Sequence, residues 1–233
     1  ILVGALGTAL FVWRHRHLAT PVLQLKVFAT HNYTISVIVM AMSQLAFAGF
    51  EFVLPLYLQT VRGFSAQTSG MCLVLGALVS AGMSPVAGYA LDHYSPKAMI
   101  QSGLAIMVIA TLPFIFVSQT TPFITIVMLY VVRSVGFAAV SNPVTALVSN
   151  SLPQAFFSHG SSSNNMIRFS VSAVGTATLI STQQLIANRA SRQLSAIAAK
   201  LVGYHAAFAA VVVILIVGLI CGYALNEKEA HLR

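Results

Sequence analysis

Six apolar runs, each long enough to cross a bilayer, follow one another between residues 34 and 225, at about 34–60, 67–91, 97–118, 122–149, 164–187 and 205–225. About 20 helical residues, rising 1.5 Å each, cover a hydrocarbon core of about 30 Å. In that solvent every backbone amide must be satisfied within the protein, which leaves helices or a closed barrel. No long alternation of polar and apolar residues supports a barrel. The expected fold is therefore an all-α membrane protein, a six-transmembrane-helix bundle.

Composition agrees with lipid as the main solvent. Only 7% of residues are charged, against roughly 25% in a soluble domain. The net charge of +8 does not point to nucleic acid, because the lysines and arginines are scattered and form no basic stripe. Cys72 and Cys221 both sit inside apolar runs and read as small buried hydrophobes, not as a disulfide.

The flanks divide the remainder. Ile1–Trp13 is an apolar run too short to span, followed by Arg14-His15-Arg16-His17. A signal peptide carries its charge before the apolar region, so 1–13 is expected to be the end of a truncated transmembrane helix, and the chain a piece of something longer. Residues 14–33 form a connector and 226–233 a charged tail. With the connector placed in the cytoplasm, Arg14, Arg16, Lys26, Lys97, Lys228 and Arg233 lie inside. Arg62, Arg189, Arg192 and Lys200 lie outside, a small bias in the expected direction. Between the fifth and sixth runs, the middle of 187–204 is a candidate short surface helix.

Charged residues within the runs are the chemical candidates. Glu51 lies deep in the first run, on a stripe with Ser43, Gln44, Ala48, Pro55 and Gln59. Burial disfavours its charged form unless a cation lies close. A carboxylate that loads and releases a proton is what proton-coupled transport requires; the other reading is a protonated acid bonded to a neighbouring helix. Arg133, in the fourth run, stays charged and must face water, a carboxylate or carbonyls. It either lines a path or ties two helices together. Gly136 permits close approach beside it and Pro143 permits a bend. Arg168 reads as interfacial, and Ser172, Gly175, Thr176 and Thr178 as a packing face. The seven histidines are dispersed. No metal pattern, nucleophile elbow or phosphate loop marks a cofactor or an enzyme.

Asp92, one of four acidic residues, closes the second run in Val86–Lys97, VAGYALDHYSPK. Gly88, Asp92 and Lys97 in this stretch resemble the signature loop between the second and third helices of a major facilitator superfamily half. His93 stands where a basic residue is usual, and Ser95 where a glycine is usual. Leu54-Pro55-Leu56-Tyr57-Leu58-Gln59 resembles the close of the first helix of the second half in fourteen-helix drug:proton antiporters. Arg133 through Gly136 to Asn142-Pro143, with Ser151-Leu152-Pro153, resembles the next signature. His159-Gly160, Asn164-Asn165, Arg168 and Val174-Gly175-Thr176-Ala177 resemble the following one, with Ser172-Ala173 departing from the usual Gly-Ser.

The resemblance covers nearly the whole chain in the right order. It implies the C-terminal half of a multidrug exporter in the bacterial cytoplasmic membrane, with the Asp92 loop cytoplasmic. The implied partners are lipid, protons, a small amphipathic substrate and the missing N-terminal half. Glu51, Arg133 and Gln44 become the candidate coupling or cavity residues, with Gly88, Asp92 and Lys97 the gate and Gly136, Pro143 and Gly175 the packing or hinge positions. Rival readings are a transporter dedicated to one metabolite or lipid, and a non-transporting membrane interaction module.

Overall fold

The computed structural model describes residues 31–150 and 157–224. The expected truncated helix at 1–13, nearly all of the 14–33 connector and the 226–233 tail lie outside the described residues. Among those described there are six α-helices and no strand. They are α1 (His31–Thr60), α2 (Ala66–His93), α3 (Pro96–Thr111), α4 (Phe123–Asn150), α5 (Phe157–Ala190) and α6 (Ala196–Tyr223).

Local chemistry sets the ends. Gly63, at φ 69°, supplies the left-handed turn after α1 that side chains resist. Ser65 caps α2 by accepting from the Thr68 amide. Ser95 does the same for α3 through the Ala98 amide, and Pro96 follows in the first turn, where a missing N–H costs nothing. The run at 97–118 is not one uniform helix. It tightens into a 3-10 segment at Leu112–Phe116, where Pro113 cannot donate into an α-helical ladder. The helices also outrun the apolar stretches. α5 continues to Ala190 and α6 starts at Ala196, so the expected separate surface helix is absorbed into their ends.

Among the described residues, five helices are long and apolar enough to cross a membrane: α1, α2, α3 with its 3-10 extension, α4 and α6. α5 has the length, but Ser170, Ser172, Thr176, Thr178, Ser181, Thr182, Gln183 and Gln184 make it more polar than the rest.

α1 is the centre of the bundle. It packs on α5, α6 and α4, while α2 leans chiefly on α4, and α3 lies between α4 and α6. The core is aromatic where these helices meet. Phe50 on α1 contacts Phe114, Tyr130 and Phe208 with ring centroids 4.9, 6.2 and 5.3 Å away. Glycines let backbones touch. A β-carbon at Gly136 would stand 2.8 Å from the Gly103 carbonyl, and one at Gly175 would stand 2.6 Å from the Leu45 carbonyl. One end of the bundle is tied by polar bonds to the loop before α4. Tyr57 donates to the Ser118 carbonyl at 2.8 Å, Arg62 donates to the carbonyls of Ser118 and Gln119, and His205 Nε2 meets the Val117 carbonyl at 2.6 Å.

Candidate functional site

A cavity of about 390 Å³ opens between α1, α2 and α4. Phe47 and Glu51 line it from α1, Ser80 and Ser84 from α2, and Phe137, Ser141 and Asn142 from α4. The wall is mostly apolar, with one carboxylate and a row of hydroxyls, the balance usual for small-molecule sites.

Glu51 is half-buried on this wall. Its Oε1 accepts a 2.9 Å hydrogen bond from the Tyr130 hydroxyl. Tyr130 and Arg133 are three residues apart on α4, so they share one face. Arg133 is fully buried at 0% exposure. Its Nη2 donates to the Ala46 carbonyl at 2.8 Å, and its guanidinium carbon lies 4.1 Å from the Phe50 ring centroid and 5.3 Å from that of Phe47. Nε and Nη1 have no hydrogen-bond partner among the described residues. Two aromatic faces and a carbonyl therefore hold this cation, and it acts electrostatically on Glu51. The site thus combines an acid open to a cavity with a permanent positive charge sealed behind it.

Gln44 lies two helical turns before Glu51 and serves the other flank of α1. Its Nε2 donates to Ser172 at 3.1 Å, and Arg168 donates to its Oε1 at 3.4 Å. The structure brings Glu51 and Arg133 to one site and places Gln44 in a polar tie to α5. Arg168, read from the sequence as interfacial, takes part in that tie.

Gly136 faces Gly103, Ile106 and Met107 of α3, and Gly175 faces Leu45 of α1. Pro143 stands inside α4. Beside it, Asn142 donates to Ser84 on α2, to both the carbonyl and the hydroxyl at 3.3 Å. Asp92 is in the last turn of α2, followed by the Tyr94-Ser95 turn and α3; its side chain lies outside the described set. Gly88 is exposed, with open space where a β-carbon would sit. Lys97 is half-exposed in the first turn of α3.

Tyr130, Phe47 and Phe50 do not stand out in the sequence as site residues, yet they surround Glu51 and Arg133. The spacing carried a signal: Tyr130 sits one turn before Arg133, and Phe47 one turn before Glu51. Which face of α1 meets which face of α4 is a tertiary fact, and neither helix has a strong amphipathic stripe to reveal it.

Comparison with known proteins gives three kinds of relative. The family model described as Major Facilitator Superfamily matches residues 2–176. A protein described as an uncharacterized MFS-type transporter, YcnB of Bacillus subtilis strain 168, is 33% identical over 231 residues, covering 98% of this chain and 48% of the relative. Lincomycin resistance protein LmrB of Listeria innocua is 29% identical over 235 residues, 98% of this chain and 50% of that protein. Multidrug efflux pump LfrA of Mycolicibacterium smegmatis is 28% identical over 179 residues, 76% of this chain and 35% of the pump. The chain spans about half the length of YcnB and of LmrB.

Proposed function

Because the chain belongs to the major facilitator superfamily, we propose that it forms the C-terminal half of a fourteen-helix exporter that couples proton entry to efflux of amphipathic compounds. The site of action in this reading is the bacterial cell membrane. The observation that carries it is Glu51, the carboxylate on the wall of the cavity between α1, α2 and α4. Relatives named for lincomycin resistance and multidrug efflux support the substrate class.

The mechanism follows from charge. Two halves rock around a site near the midplane. A proton and a cationic substrate compete for Glu51, because the low dielectric makes its uncompensated charge costly. Arg133 holds a fixed positive charge behind the acid and softens the cost of its ionised form. The apolar wall, with Phe47 and Phe137, accepts the oily part of a substrate, while Ser80, Ser84, Ser141 and Asn142 offer exchangeable hydrogen bonds. Gly88, Asp92 and Lys97 form the cytoplasmic gate, and Gly136, Pro143 and Gly175 the packing and hinge positions around which the helices shift.

The test uses the full-length protein in proteoliposomes under an imposed pH gradient, with ethidium as substrate. The wild type moves ethidium against its gradient, and Glu51→Gln loses that gradient-driven movement. Glu51→Gln transporting at the wild-type rate removes Glu51 from the mechanism.

A further inference from the structure

Resting on the reading of Glu51 as the coupling carboxylate, we propose that Tyr130 is the positioning residue that sets the proton occupancy of Glu51, and that Gly76 provides the space that seats it. Tyr130 is fully buried, so its hydroxyl needs a partner, and Glu51 Oε1 is that partner at 2.9 Å. The ring is fixed from two sides. It stacks on Phe50 with 3° between planes and 6.2 Å between centroids. On the other side Gly76 of α2 lies against it. A β-carbon at Gly76 would run into the Tyr130 ring and stand 2.7 Å from the Ser134 hydroxyl. Three helices thus converge on one hydrogen bond, with α1 supplying the acid, α4 the donor and α2 the gap.

A phenylalanine would fill the same volume, so the hydroxyl is what tyrosine adds. Donation to a carboxylate favours its ionised form, and more strongly in a low-dielectric interior. The titratable and charged groups around the pair are few. Arg133 acts on both from α4, and the Cys72 thiol approaches Tyr130 from α2. Among the described residues, no ionisable group from α3, α5 or α6 acts on Glu51. Tyr130 is therefore the adjustable contact: a shift of α2 or α4 that separates the pair lets Glu51 take a proton, and re-forming the bond expels it. This ties proton affinity to helix position without a second acid.

A fluorescent hydrophobic carbodiimide, which reacts with protonated carboxyls, reads this directly on the full-length protein. Glu51 labelling is followed by mass spectrometry across pH. In Tyr130→Phe, with packing intact, the pH of half-maximal labelling moves alkaline by about one unit, the size of one charged hydrogen bond. Gly76→Ala, which displaces the ring, moves it the same way, and adding Gly76→Ala to Tyr130→Phe gives no further shift. An unchanged labelling midpoint in Tyr130→Phe overturns the proposal while leaving Glu51 as the coupling acid. Normal export by Glu51→Gln overturns that underlying reading instead.

Discussion

Arg133 shows how a charge survives in an oily interior. Its guanidinium is wedged between Phe50 and Phe47 and donates one hydrogen bond to the Ala46 carbonyl. A flat, weakly hydrated cation suits two ring faces, and a lysine ammonium does not. Arg133→Lys is expected to lower thermal stability by the worth of about one desolvated cation–π contact, about 2 kcal/mol, and to reduce transport as well. A thermal melt of the purified full-length protein checks the first part. An unchanged melting temperature would mean that the rings contribute packing alone. The rank of charged residues was legible in the sequence, since Glu51 and Arg133 stood out by scarcity. The donor to Glu51 was not: Tyr130 looks like any other aromatic in an apolar run until α1 and α4 are seen in contact. Gln44 shared a sequence stripe with Glu51 but turns to Ser172 and Arg168, because residues two turns apart share a face yet lie about 10 Å apart along the axis, where a different helix meets them.

Helix pairs carry the next layer. α3 and α4 cross at Gly103 and Gly136, where each backbone carbonyl sits 2.8 Å from the position of the other glycine's β-carbon. The nearest atom in the way is a backbone carbonyl, which cannot swing aside as a side-chain end can, so Gly136→Ala is expected to destabilise the folded bundle by about 1–3 kcal/mol, the usual cost of overpacking. Detergent-solubilised Gly136→Ala melting at the wild-type temperature would show that the crossing is slack. At the turn between α2 and α3, Ser95 caps the following helix, three residues after Asp92 in the last turn of α2. Asp92→Asn in the full-length protein is expected to insert normally and lose transport; unchanged efflux would remove it from the gate. Helix number and order were legible because apolar length is a strong signal. The ends were not, because interfacial turns extend helices past the apolar run, and Pro113 tightens one of them. α5 is the other surprise. Ser170, Thr178, Ser181, Gln184 and Asn188 are all exposed along it, a face better suited to another helix or to water than to lipid.

On the scale of the whole molecule, three of the six described helices, α1, α2 and α4, line the cavity and supply its polar groups. Alternating access needs a second bundle to rock against this one. The 233 residues alone, reconstituted in liposomes, are therefore expected to insert without vectorial transport; ethidium accumulation by them would contradict this. In the proposed mechanism Glu51 exchanges a proton for substrate. The most direct measurement is proton release on substrate binding, followed with a pH dye in weakly buffered detergent solution of the full-length protein. Ethidium added to the wild type is expected to release protons, and ethidium added to Glu51→Gln to release none although it still binds. Equal release from the two proteins would mean that Glu51 is not the group that gives up the proton.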